Sequence, residues 1–248
     1  MMLRFIFNLF ALVFVILINY LSNALPFNDQ TTSEIANRLD VLFTPAGYVF
    51  SIWGLIYLLL ALWVLRQLPA SRRELPVYKV GTPLFILSCF LNSFWLFLWH
   101  YEYFVLSVFV MLALLITLIA LYLRIQAVYE SSLDLLPFSI YLGWISVATI
   151  ANISYVLVEI GWDGFGLSDV TWTIIMLIVA SILAVVFRLK KGDMFYPLVF
   201  VWAFIGIGVR NLADYPVVAF TAFFLSTIIF VYALFGNRNK ITIYNYQK

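Results

Sequence analysis

Apolar runs of about 20 residues recur along this chain, separated by short polar connections. They cover residues 3–23, 46–66, 82–101, 104–124, 137–158, 170–189, 195–211 and 215–235. Each has roughly the length a helix needs to cross the hydrocarbon core of a bilayer. None alternates polar with apolar residues, as a barrel strand would. Lipid offers no partner to backbone N–H and C=O groups, so every run is predicted to be helical. The expectation is an all-α integral membrane protein with about eight transmembrane helices. The connection 24–45 is the longest. It carries polar text from Asn28 to Thr32 and then a short amphipathic stretch over 33–42. Long structured connections of this kind often serve as lids. The connection 100–104 is short enough to make the third and fourth spans antiparallel neighbours.

Composition agrees with the pattern. The chain is 65% hydrophobic and 10% charged, far below the roughly 25% charge of soluble domains. Charge placement then orients it. Of the 14 Lys and Arg residues, all but Arg38 and Arg210 fall on alternate connections or at the two ends. Short cytoplasmic connections retain positive charge, so both termini are read as cytoplasmic, with residues 237–248 as a cytoplasmic tail. The other face is acidic, with Asp29, Glu34, Asp40, Glu102, Glu159, Asp163, Asp169 and Asp214. Arg4, the following apolar run and Ser22-Asn23-Ala24 also resemble a signal peptide; the reading adopted is a retained first helix. The basic residues act as membrane-end anchors and form no nucleic-acid patch. The single cysteine, Cys89, lies within an apolar run and reads as a buried thiol.

No phosphate loop, dinucleotide turn, nucleophile elbow or His/Cys metal cluster is legible, so no catalytic residue, metal or required cofactor is assigned. His100, the single histidine, sits at a span end and reads as an interfacial polar group, with axial haem ligation as the sharper alternative. Every carboxylate falls at a span end, which weighs against an ion-coupled pump. Arg210 precedes Asp214 by four residues, the spacing of a helical salt bridge; anion binding is its functional alternative. Aromatics are the abundant resource, with 24 Phe, 15 Tyr and 8 Trp. Trp63, Trp99, Trp162 and Trp172 read as interfacial anchors. Trp53, Trp95, Trp144 and Trp202 lie deeper or beside the long connection, near small or polar residues. Asn92 and Asn152 read as interhelical hydrogen-bonding groups. A pocket of indoles and phenols suits a rigid planar hydrophobe, although aromatic-rich helices also serve simply as core and lipid contact.

Three motifs then occur in order. The first is Thr44-Pro45-Ala46-Gly47-Tyr48-Val49-Phe50-Ser51-Ile52-Trp53-Gly54-Leu55-Ile56-Tyr57. The second is Leu91-Asn92-Ser93-Phe94-Trp95. The third is Tyr141-Leu142-Gly143-Trp144-Ile145-Ser146-Val147-Ala148, followed by Asn152. Together they resemble the tryptophan-rich sensory protein / translocator protein (peripheral benzodiazepine receptor) family. The likeness covers about residues 1–158, the five-helix unit of that family. The chain departs from the family pattern in its single Pro45, in Tyr48 where tryptophan is usual, in the displaced Pro137, and in Tyr155 and Val156 beyond Asn152.

The resemblance implies a five-helix bundle over 1–158 with an outer lid at 24–45, and three additional helices over 159–236. It implies a pocket for porphyrins or related planar hydrophobic ligands. Trp53 and Trp144 match the pair associated with tetrapyrrole binding and its light-dependent breakdown. Ala148 matches a small residue that leaves room for ligand. Tyr57, Asn92, Trp95 and Asn152 match other pocket or core positions, and Pro45 and Tyr48 shape the lid. The expected function is a binding protein, sensor or transporter for tetrapyrroles in a bacterial inner membrane. The alternatives are a secondary transporter of a small hydrophobic molecule and a light-dependent porphyrin-degrading enzyme. The expected partners are the bilayer, a small hydrophobic ligand and a second copy in a homodimer, with no nucleic acid.

Overall fold

The computed structural model describes residues 2–25 and 27–236. The expected tail 237–248 lies outside the described residues. Nine α-helices occur in order among the described residues: α1 Met2–Ala24, α2 Thr32–Arg38, α3 Ile52–Leu65, α4 Pro76–His100, α5 Phe104–Gln126, α6 Ser132–Glu159, α7 Asp169–Lys191, α8 Phe195–Asn211 and α9 Pro216–Phe235. Eight coincide with the apolar runs, and α2 falls within the amphipathic stretch of the long connection. No strand occurs among the described residues. Among the described residues seven helical segments are long and apolar enough to cross a membrane, α3 only when taken together with the 3-10 turn before it, as Gly47–Leu65. The remaining apolar helix, α8, has 17 residues and is about 26 Å long at 1.5 Å per residue, the short limit for a span. The protein is an all-α, multi-pass membrane protein.

Local chemistry sets the boundaries. Thr31 and Glu34 form a capping box at the start of α2, and Ser131 and Asp134 form another at α6. Each satisfies N–H groups that a helix start leaves unpaired. Pro76 and Pro216 open α4 and α9, where a missing N–H costs nothing. Gly192 ends α7 at φ 69°, a left-handed turn open to glycine without a Cβ penalty. α3 starts later than the apolar run predicts, because Gly47–Ser51 coil as a 3-10 turn that packs against α8.

α4 packs against α1 and α5, α5 against α6, and α6 against α3 and α8; α7, α8 and α9 pack on one another. The C-terminal helices therefore join the rest chiefly through the α6–α8 face. Gly143 makes that approach close: a Cβ there would lie 3.0 Å from the Tyr196 carbonyl oxygen and from Val199. Small residues let membrane helices meet in this way.

Both buried carboxylates sit at the end of the bundle away from the lid. Asp134 accepts from Arg66 at 3.1 Å and lies 3.7 Å from Arg72. Asp193 accepts from Tyr122 at 2.9 Å and Ser139 at 2.5 Å, and caps the Phe195 N–H at 2.8 Å. Trp63 is also there, but its expected role as an interfacial anchor is corrected. It is fully buried and packs on Tyr78, Phe85 and Phe138, because its helix face meets α4 and α6 rather than lipid headgroups.

Candidate functional site

The lid is a packed element, tied on two sides. Ile35, Val41, Leu42 and Phe43 are buried beneath it. Toward α4, the Trp99 indole N–H donates to the Thr32 carbonyl at 3.4 Å, and the Asn28 amide donates to the His100 carbonyl at 3.2 Å. Arg38 pairs with Glu102 at 2.6 Å and lies over the Phe104 ring. The Glu102 hydrogen bond raises the guanidinium pKa above its ordinary value. Toward α8 and α9, Arg210 donates to the Asn37 side chain, Asn211 donates to the Leu42 carbonyl at 2.9 Å, and Tyr215 donates to Asp40 at 2.9 Å. That last bond raises the Tyr215 pKa.

Two expectations are corrected here. Arg210 makes no ion pair with Asp214 among the described residues. The helix ends at Asn211, so the i,i+4 register is lost and Arg210 turns to the lid. Trp99 is no interfacial anchor. It is 3% exposed and stacked 5.5 Å from Trp95, because the lid covers that end of α4. His100 is likewise buried. Its Nδ1 lies 2.8 Å from the Leu96 carbonyl, an acceptor only, so that nitrogen carries the proton; Nε2 lies 3.5 Å from the Thr32 hydroxyl. Ligation of an iron through Nε2 would keep the Nδ1 bond to Leu96 but displace the Thr32 hydroxyl, which closes that side of the ring.

Below the lid lies a cleft of about 560 Å³. Ile16, Asn19, Tyr20 and Asn23 of α1 and Trp53 and Tyr57 of α3 form its walls. Trp95 and Leu96 of α4 form its floor, and Thr32 and Ser33 of the lid close its outer end. A second, tighter chamber of about 50 Å³ is lined by Pro45, Trp144, Ala148, Asn152 and Tyr155. The two share Thr32, Phe50 and Trp95 as lining residues.

The indoles of Trp53 and Trp144, from α3 and α6, have centroids 6.3 Å apart at 86°. They meet edge to face, and both rings border the chambers. Trp53 also stacks on Tyr57 at 5.5 Å. Trp95 donates to Asn152 Oδ1 at 3.1 Å, and Ser107 is 3.1 Å from the Asn152 amide nitrogen. Asn152 thus fixes the Trp95 ring from the neighbouring helix. The structure brings together seven of the nine residues singled out in the sequence: Pro45, Trp53, Tyr57, Trp95, Trp144, Ala148 and Asn152.

The other two lie elsewhere. Asn92 accepts from Asn19 at 2.9 Å and ties α1 to α4 without lining either chamber. Tyr48 is 46% exposed and packs edge-on against Trp202 of α8. A 3-10 turn has three residues per turn, which faces Phe50 inward and turns Tyr48 away. Phe50, 5.9 Å from Trp144, takes the place expected for Tyr48. Phe50, Asn19 and Thr32 line the cavity without having been singled out. The Val-Phe step beside Trp53 held the signal for Phe50; Asn19 and Thr32 depend on tertiary contacts that no local pattern encodes.

Among the described residues, no group of three His, Cys, Asp or Glu side chains comes together. No curated protein and no solved structure matches the chain. The family model described as TSPO-like protein matches residues 5–235, running from α1 through α9 and so through the three C-terminal helices as well as the motif-bearing ones. The chain belongs to the TSPO-like protein family.

Proposed function

We propose that the protein binds a planar hydrophobic ligand of the tetrapyrrole class in the cleft beneath its lid, for sensing, sequestration or transport. The observation that carries this reading is a set of three orphaned donors. The Tyr57 and Tyr155 hydroxyls and the Trp144 indole N–H are buried and have no hydrogen-bond partner; Tyr57 is among the residues lining the cleft, and Trp144 and Tyr155 are among those lining the chamber beside it. A buried polar group left unpaired costs about 1–3 kcal/mol. A guest that is flat and apolar, with acceptor atoms at its edge, relieves that cost while its faces meet Trp53 and Trp95. The cleft volume falls within the roughly 300–1,000 Å³ of small-molecule sites. The charge pattern supports an orientation with both termini cytoplasmic and the lid on the outer face.

Protoporphyrin IX added to purified protein should quench tryptophan fluorescence to saturation. The double variant Trp53→Phe, Trp144→Phe shrinks both rings of the edge-to-face pair and removes one orphaned donor while six other indoles still report. Its affinity should fall by about tenfold or more, from one lost hydrogen bond and the reduced stacking area. An unaltered affinity in that variant would refute the assignment.

A further inference from the structure

A separate cavity of about 240 Å³ lies on the other side of the lid, between α6 and α7. It shares no lining residue with the cleft or the chamber beside it. Its walls are apolar, with Phe43 from the lid, Ile153 and Leu157 from α6 and Met176 from α7, relieved by the hydroxyls of Ser154 and Thr173. Two indoles, Trp162 and Trp172, and two carboxylates, Asp40 and Asp169, complete the lining. No Lys, Arg or His is among the lining residues.

The indoles are held in place. Their centroids are 5.2 Å apart at 51°. The Trp172 N–H donates to the Gly164 carbonyl at 2.7 Å. Phe165, at φ 53°, meets Trp162 edge-on at 5.2 Å. Asp40 accepts from Tyr215 and lies in the field of Arg210. Asp169 makes none of the described ion pairs, and with Asp214 it adds negative field around Tyr215. The lining therefore offers aromatic faces and, at its exposed mouth, a carboxylate in none of the described ion pairs, on the first residue of α7.

We propose that this cavity binds a compact organic cation, with one apolar ring lying between α6 and α7 and an ammonium head over the Trp162 and Trp172 faces beside Asp169. Charge complementarity selects the cation: the lining carries carboxylates and no cationic side chain. The two half-buried indoles supply aromatic faces that attract ammonium groups, and the nearby carboxylate adds to that attraction. The volume lies below the range of drug-sized sites, which limits the guest to about a single ring.

The test uses the full chain in lipid nanodiscs and three probes of similar size: benzyltrimethylammonium, benzyl alcohol and benzenesulfonate. Calorimetry should give saturable binding of benzyltrimethylammonium, about tenfold or more tighter than the alcohol, with none for the sulfonate. Added salt should weaken it. Asp169→Asn should reduce affinity by about tenfold, and Trp53→Phe should leave it unchanged. Absence of saturable binding, or equal binding of cation and alcohol, overturns the proposal. So does an Asp169→Asn variant that binds as well as the parent. The ranking of the three probes on the unmodified chain decides the matter if a variant fails to fold. A loss of protoporphyrin binding has no bearing on it, since the two sites share no residue.

Discussion

Ile35 offers a way to learn how a ligand reaches the cleft. Its side chain is fully buried on the inner face of α2. Replacing a buried Ile by Ala costs about 2–5 kcal/mol, less where the surroundings can relax. The lid rests on the ends of α4 and α8 and can partly settle, so about 2–4 kcal/mol is the working figure for Ile35→Ala. The loss falls on the closed lid, because an open lid already exposes this side chain. The open population should therefore rise by about 30- to 1,000-fold.

Hydrogen exchange at the α2 amides should speed up by that factor. Tyr20 of α1 lines the cleft and is also exposed on the outside of the bundle, so the cleft is bordered there by the bilayer, and lateral entry beside α1 is the route put to the test. The association rate of protoporphyrin IX, followed by stopped-flow quenching, should then be unchanged in Ile35→Ala. An association rate that climbs in step with exchange would refute lateral entry and make the lid the gate. Exchange that stays at the parental rate would refute the claim that buried apolar contacts hold the lid shut.

Other consequences follow from contacts away from the cleft. Asp134→Ala leaves Arg66 and Arg72 without their carboxylate and removes the α6 capping box; because both arginines are partly exposed, the cost should be roughly 2–4 kcal/mol, read as a lower unfolding midpoint in detergent. Gly206→Val should destabilise by about 1–3 kcal/mol, since a Cβ at that position overlaps Val49. Val49→Ala should recover part of that loss, and a double variant no better than the single would contradict the packing account. The Thr31 backbone N–H and hydroxyl hold the Glu34 pKa below the ordinary glutamate value. A depressed carboxylate stabilises the fold above its unfolded pKa, and that contribution is lost as pH falls through the lower, folded value. The difference in midpoint between the parent and Glu34→Gln should therefore be constant near about pH 6 and shrink toward about pH 3.

What the sequence discloses depends on how local the cause is. The spans were legible because lipid forces each crossing to satisfy its own backbone and to be apolar along its whole length. The pairing of indoles at 53 and 144 followed from motif likeness rather than from periodicity. The facing of aromatic residues was not legible. Trp63, Trp99 and Trp202 look alike as residues near span ends or beside the long connection. Yet one is a core residue, one lies under the lid, and one is 36% exposed with its N–H on the Val49 carbonyl. Burial within a bilayer carries little hydropathy contrast, because a side chain facing lipid and one facing a neighbouring helix are equally apolar. Polar residues break that degeneracy, since each needs a partner in a particular place. Asn8 reaches Gln67 and Thr82, Asn19 reaches Asn92, Tyr196 reaches Ser146, and Asn152 reaches Trp95. These few bonds set the rotation of α1, α4, α6 and α8 about their axes, and through that rotation they decide which indoles face the cleft. Replacing Asn152 by the similarly shaped Leu should consequently free the Trp95 ring and weaken protoporphyrin binding even though Asn152 offers the ligand no π-face, whereas Asn152→Asp, which keeps the acceptor for the Trp95 N–H, should weaken it less. Equal binding by parent and Asn152→Leu would show that packing alone fixes the Trp95 ring.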